Sequence, residues 1–292
     1  MTFSIAHLGP PGTYAEQATI FYVQWLQQNI GIEAVLRPYP SIAQSLKAVA
    51  QGQTQLAVVP VENSIEGSVT MTMDTLWQLD SLRIQSALVM PIAHTLISCA
   101  PSLDKIKTVY SHPQALGQCQ NWLGEFLTNV SVIPTNSTTE ALKALDQDVK
   151  AAAIASTRAA QIYNLPILAD QINDYPDNCT RFWVISQGET EITQQLRLHT
   201  PTHTTVAFSV PANVPGALVK TLLVFALQGI NLSRIESRPT KRSLGEYLFF
   251  IDLEAAVNTR QMQSALAELN TYTEVLKIFG SYNVLPISTQ DS

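Results

Sequence analysis

The strongest constraint on the fold of this chain is a unit that recurs five times before residue 160. Each copy is an apolar, strand-like run, then a loop with hydroxyl or amide side chains, then a stretch of helical periodicity. Residues 3–8 alternate as a strand does, the loop "GPPGTYAEQA" follows, and apolar residues then recur at Ala18, Phe21, Tyr22, Trp25 and Leu26. Thr13 and Glu16 stand in capping-box relation, so Thr13 is expected to cap this helix. The loop amides then point outward, at a helix start suited to an anion. The unit returns in "LAVVPVENSIEGSV", where Asn63, Ser64 and Gly67 precede Val69, Met73 and Leu76. It returns again in "IKTVYSHPQALGQC", where Ser111 and Gln114 open a stripe of Ala115, Cys119, Trp122 and Phe126. Ser137 with Glu140, and Ser156 or Thr157, mark the fourth and fifth copies.

Strands that alternate with helices predict parallel sheets covered on both faces, with ligands beyond the carboxyl ends of the strands. The repeated order on either side of "LRIQSALVM" predicts two α/β lobes with a cleft between them. The hydroxyl-bearing loops are expected to converge there on one site.

Such a frame needs a core, and the composition supplies one: of 292 residues, 46% are hydrophobic and 14% charged. A formal charge of −6 without any basic run argues against a nucleic-acid partner. Cys99, Cys119 and Cys179 are odd in number, too far apart for a Cys-x-x-Cys motif and without paired histidines nearby. They point to reduced thiols rather than a disulfide framework or a metal site. No apolar run approaches the roughly 20 residues of a membrane span, and "MTFSIAHLGPPG" is not a leader, so a soluble, cytoplasmic protein without a membrane partner is expected.

After "TRFWVIS" the pattern changes. Residues 191–202 are polar and aperiodic and read as a linker, which assigns 1–190 to the two-lobed part. Residues 203–282 read as a separate, smaller domain: a strand, a helix marked by Leu218, Leu222 and Phe225, two strands, a helix marked by Met262, Leu266 and Leu269, and a last strand. That order is the ferredoxin-like βαββαβ arrangement. Residues 283–292 read as a tail.

Six motifs in order, "GPPGTYAEQA", "VENSIEGSV", "SHPQALGQC", "CTRFWVI", "PGALVKTL" and "ESRP", span nearly the whole chain. Together they are far more specific than any one alone. By these motifs the chain resembles prephenate dehydratases that carry a C-terminal ACT regulatory domain. The resemblance implies a two-lobed, periplasmic-binding-protein-like catalytic domain that uses neither cofactor nor metal. It converts prephenate to phenylpyruvate, with loss of carbon dioxide and water, on the route to phenylalanine. It also implies feedback inhibition by L-phenylalanine bound to the ACT domain, and a homodimer or homotetramer with ACT domains side by side. Residue by residue, the catalytic threonine of the Thr-Arg-Phe motif falls on Thr180, and Asn63, Ser111 and Gln118 are the other catalytic cleft residues. Gly12, Thr13, Ser64, Arg181 and Phe182 fall in substrate contact. Asn213, Gly216, Ala217, Leu218, Glu236, Ser237, Arg238 and Pro239 fall at the effector.

Prephenate carries two carboxylates and a ring hydroxyl, so its site must hold negative charge and help a hydroxide leave. A threonine hydroxyl is a weak acid, yet its basicity is comparable to that of hydroxide, so a well-aimed Thr180 suffices when aromatisation drives the step. His112 is the rival acid, its ordinary pKa lying near 6.5. Glu62 and Glu66 rank below it, because a carboxylate beside a dianion is costly. Arg181 and Arg158 are candidates to neutralise substrate carboxylates through bidentate contact. More modest roles compete: Ser111 as a helix cap, Asn63 as a turn former, Thr180 as the start of a strand, and Phe21, Tyr22 and Trp25 as core. Two other functions fit the same cleft, an arogenate dehydratase and a non-catalytic two-lobed metabolite sensor.

Overall fold

The computed structural model describes residues 3–146, 148–188 and 199–287. The first lobe contains β1 (Phe3–Leu8), α1 (Tyr14–Ile30), β2 (Ala34–Tyr39), α2 (Ile42–Ala50), β3 (Leu56–Asn63), β4 (Gly67–Ser68), α3 (Thr70–Gln78) and β5 (Leu82–Pro91). The chain then crosses into a second lobe with β6 (Thr95–Ile97), β7 (Thr108–Ser111), α4 (Pro113–Gly117), α5 (Gln120–Phe126), β8 (Ser131–Pro134), β9 (Ala151–Ala155), α6 (Thr157–Ile162) and β10 (Ile167–Ala169). It returns to the first lobe on β11 (Cys179–Gln187). The C-terminal part holds β12 (His203–Ser209), α7 (Ala217–Leu227), β13 (Leu232–Pro239), β14 (Tyr247–Leu253), α8 (Arg260–Tyr272) and β15 (Val275–Pro286), in the expected βαββαβ order.

At three of the five expected junctions a hydroxyl caps the turn that follows. Thr13 accepts from the Glu16 amide at 3.3 Å, Ser156 from the Ala159 amide at 3.1 Å, and Ser137 from the Glu140 amide at 3.0 Å. The last opens a 3-10 turn, Glu140–Ala144, rather than an α-helix. The other two junctions differ. α3 begins after Val69 without a side-chain cap, and Asn63 acts as the turn former, its oxygen accepting from the Ile65 and Glu66 amides, each at 3.0 Å. Ser111 is fully buried and donates to the Ile154 carbonyl at 2.6 Å, so His112 Nδ1 caps α4 instead by accepting from the Gln114 amide at 3.3 Å. The expected stripe breaks between α4 and α5 and leaves Phe126 half exposed.

One ten-stranded sheet runs β13-β14-β12-β15-β5-β11-β3-β1-β2, with β4 beside β3, and a five-stranded sheet in the second lobe runs β10-β6-β9-β7-β8. Parallel pairing holds where strand, helix and strand alternate, as in β1 with β2 and β3, and β7 with β8 and β9. Each lobe's sheet is nevertheless mixed, not all-parallel: β11 runs antiparallel to β3 and β5, and β6 antiparallel to β9. The reason is the crossover. β5 leaves for the second lobe at Pro91 and β11 re-enters at Cys179 beside it, so β11 must run back down the sheet.

The smaller domain is not separate. Asn283–Pro286, expected as part of a tail, continue β15 and pair in parallel with Ser86–Val89 of β5, so its sheet and that of the first lobe are one. Residues 191–198 of the expected linker and 288–292 of the expected tail lie outside the described residues. β15 makes its crossing at Gly280, whose φ is +141°. A methyl carbon there would fall 2.5 Å from the Ile84 carbonyl oxygen.

Packing follows the strand period of two. Phe182 and Val184 of β11 join Ile5, Val58 and Leu88 beneath α1, which buries Ala18, Tyr22 and Leu26. Trp183 and Ile185 face the other way, into a core shared by α2, α3 and the C-terminal Phe250, Phe279 and Tyr282. Tyr22 and Trp25 stack at 5.4 Å, consistent with a core role for that stripe.

Candidate active site

The strand ends of the first lobe, its opening loop, and the β7–α4 and β8–Glu140 loops of the second lobe enclose a cleft of about 970 Å³. Thr180 stands on its wall at the start of β11, in register with Asn63 at the end of β3. Asn63 Nδ2 shares its two protons among the Thr180 hydroxyl oxygen at 3.0 Å, Asn178 Oδ1 at 2.8 Å and the Cys179 carbonyl at 3.2 Å. The Thr180 oxygen is thus occupied as an acceptor, and its proton has no acceptor among the described residues. The hydroxyl is prepared to donate into the cleft.

Asn63 is itself held from lobe to lobe. Its oxygen accepts from Gln118 Nε2 at 3.4 Å, while Gln118 Oε1 accepts from Asn178 Nδ2 and from His94 Nε2, both at 2.8 Å. Because Gln118 Oε1 can only accept, His94 carries its proton on Nε2 and its bare Nδ1 faces the Tyr14 hydroxyl at 3.0 Å. Tyr14 donates its own hydroxyl proton, shared between that nitrogen and the Ala93 carbonyl at 2.6 Å. Burial lowers the His94 pKa, with the Gln118 contact opposing it, so the ring is neutral near pH 7. Sequence reasoning missed Tyr14, His94 and Asn178 as site residues. None stands in a motif whose spacing shows a contact between lobes.

Several expected contacts fall elsewhere. The Gly12 amide donates to Glu16 at 2.7 Å and its carbonyl accepts from Ser156 at 2.9 Å, so both polar groups of the Gly12 backbone are held by protein partners. Thr13 lines the cleft with its hydroxyl held between the Glu16 amide and the Leu8 carbonyl. The amides left without acceptors among the described residues are those of Thr13, Tyr14 and Ala15, at the N-terminus of α1 on the cleft wall. Ser64 turns away to Asn178 and the Cys179 amide. Arg158 pairs with Glu16 at 3.5 Å. Arg181, one residue past Thr180, points to the opposite face of the sheet and pairs with Asp252 at 3.2 Å and Glu62 at 3.7 Å. Phe182 returns to the cleft face and is buried under it.

The positive charge that does line the cleft is Lys143, an exposed lysine without an ion-pair partner among the described residues. His112 lines it too, its pKa lowered by burial, which outweighs the raising effect of the Glu66 charge. Ser111 is not on the wall; its buried hydroxyl fixes β7 to β9 beneath α4.

In the C-terminal domain Gly216 caps α7 with φ +83°, in an exposed loop with Asn213, and Ala217 and Leu218 begin the helix. The "ESRP" strand divides by face. Ser237 lies opposite Phe249, on the side covered by α7 and α8, and Pro239 ends the strand. Glu236 and Arg238 instead reach the first lobe, where Glu236 accepts from the Ser68 hydroxyl at 2.8 Å and Arg238 pairs with Asp74 at 2.9 Å. The two motifs therefore do not all meet at one place within one chain.

A two-lobed α/β cleft with a hydroxyl donor poised in it, joined through one sheet to a βαββαβ domain, defines a cleft enzyme with an attached regulatory-type domain. The family model "Prephenate dehydratase" matches residues 5–190 and the "ACT domain" model matches 204–271. The chain belongs to the prephenate dehydratase family and carries an ACT domain. It is 39% identical to the bifunctional chorismate mutase/prephenate dehydratase of Aquifex aeolicus, over 95% of this chain and 73% of that protein. It is 35% identical to the prephenate dehydratase of Methanocaldococcus jannaschii, over 97% and 99%. The crystal structure of prephenate dehydratase from Arthrobacter aurescens in complex with L-Phe superposes with a TM-score of 0.83 at 34% identity, covering 96% of this chain and 90% of that one.

Proposed function

We propose that the cleft converts prephenate to phenylpyruvate with Thr180 as the proton donor. The observation that carries this reading is the Thr180 hydroxyl on the cleft wall, whose oxygen accepts from Asn63 and whose proton has no acceptor among the described residues. As the ring carboxylate leaves as carbon dioxide, its bonding electrons move into the ring and expel the ring hydroxyl. Thr180 protonates that oxygen, water forms, and the threonine regains a proton from solvent. Hydroxide leaves because aromatisation drives the step, so correct aim matters more than acidity. Lys143 and the free amides at the start of α1 supply positive charge and donors for the carboxylates, the role first assigned to Arg181 and Arg158. Gln118 and Asn178 keep Asn63 oriented across the two lobes.

L-Phenylalanine is the effector in this reading, bound at the ACT domain around Gly216 and Ser237. A homo-oligomer formed through that domain fits the apolar row Val219, Leu223 and Leu227, spaced by four on α7 and exposed by 58%, 50% and 77%. The cell compartment proposed is the cytoplasm; among the described residues no helix is long and apolar enough to cross a membrane.

The deciding experiment supplies the purified chain with prephenate and with arogenate separately and follows phenylpyruvate or phenylalanine formation. Turnover of prephenate well above arogenate is expected. The reverse ratio makes the chain an arogenate dehydratase, and no turnover of either makes it a sensor.

A further inference from the structure

Behind the Thr180–Asn63 pair, on the face of the sheet away from the cleft, lies a ring of four charges built half by each domain. Arg181 and Glu62 come from the catalytic lobe, each one residue from Thr180 or Asn63 and in register with each other. Arg234 of β13 and Asp252 of β14 come from the C-terminal domain. The charges alternate: Arg181 meets Asp252 at 3.2 Å, Asp252 meets Arg234 at 3.4 Å, Arg234 meets Glu62 at 3.9 Å, and Glu62 meets Arg181 at 3.7 Å. The Asp252 side chain is fully buried and that of Arg234 is 4% exposed, so neither is a solvated surface ion. Asp252 also accepts from Thr205 at 2.7 Å, and the Arg234 guanidinium lies 5.7 Å from the centre of the Trp183 ring.

We propose that Asp252 is a positioning residue for the reaction, acting through Arg181 to set the aim of Thr180, and that this ring couples the ACT domain to the cleft. A buried carboxylate between two guanidiniums is costly to disturb, so the ring resists displacement of either domain. The β3–β11 register shifts between Arg181 and Phe182, at the residue the ring holds, so the local path of β11 is irregular there and open to setting from behind. Arg234 also stands on the same strand as Glu236 and Arg238, which hold Ser68 and Asp74, so a change at that strand reaches Arg181 through a single carboxylate. The proposal rests on the dehydratase reading above.

The test uses the full-length chain, after wild type has been shown to turn over prephenate. Asp252→Asn is expected to lower kcat about tenfold or more with KM within about twofold, the pattern of misplaced chemistry rather than lost binding. Asp252→Glu is expected to recover part of the loss. Arg181→Lys keeps the charge but loses the guanidinium fork, and should repeat the kcat loss even if Asp252→Asn does not fold. The double variant Asp252→Asn with Arg181→Lys is expected to be no worse than the poorer single one. In each single variant, L-phenylalanine is expected to change kcat by a smaller factor than in wild type. A wild-type kcat and normal phenylalanine response in either single variant, with only a lowered Tm, reduces the ring to a structural contact and overturns the proposal. Strictly additive losses overturn it as well. Wild type inert toward prephenate removes the dehydratase reading and this proposal together.

Discussion

At the residue scale, function depends on which side of a strand or turn each side chain takes. Thr180→Val removes the only hydroxyl proton proposed for transfer and is expected to lower kcat about 100-fold or more while leaving Tm near wild type. Thr180→Ser should keep more activity, and steady-state kinetics with circular-dichroism melts separates the outcomes. Unchanged kcat in the valine variant would pass the proton to His112. His94 yields a pH prediction. Its folded pKa is lowered below the unfolded value of about 6.5, so the unfolded chain binds more protons there and stability must fall as pH drops below that value. Melting curves between about pH 7 and pH 5 should show His94→Gln losing less stability on acidification than wild type. Thr180, Asn63 and Gln118 were legible from their motifs. The destinations of Gly12, Ser111 and Arg181 were not, because a motif fixes neighbours in sequence and not the partner that takes a hydrogen bond.

At the element scale, the alternation of apolar runs, polar loops and helical stripes was enough to locate the strands and most helices. It failed where tertiary partners outcompeted local ones. Ser111 has the spacing of a cap, yet a buried carbonyl on β9 takes its proton, and His112 caps in its place. β11 has an unremarkable strand sequence, and only its return from the second lobe makes it antiparallel. β15 carries the clearest element-scale prediction. Gly280→Ala places a methyl against the Ile84 carbonyl in a backbone conformation that side chains rarely adopt, at an expected cost of about 1–3 kcal/mol. A Tm lowered accordingly checks it, and a Tm at the wild-type value would show that β15 and β5 separate without strain.

At the scale of the whole molecule, the C-terminal domain is part of the catalytic sheet and not an appendage to it. It supplies β5 with a parallel neighbour, contributes Phe250, Phe279 and Tyr282 to a core shared with Trp183, and closes the charge ring behind Thr180. Its α7 row is the outward-facing part of that assembly. Replacing Leu223 and Leu227 together with glutamate is expected to lower the mass measured by light scattering from that of an oligomer to that of one chain, and to weaken phenylalanine inhibition with it. An unaltered mass would move the association surface elsewhere. The two α/β lobes, the βαββαβ domain and the family motifs follow from residues 3–282 read in order, since apolar period and loop chemistry are local properties of the chain. The tertiary structure alone decided the mixed sheet, the strand shared between domains, and the positions of Lys143 in the cleft and Arg181 behind it. Those outcomes depend on which distant strand or side chain arrives beside a given residue, and hydrogen bonds and charges are satisfied by whatever lies nearest in space.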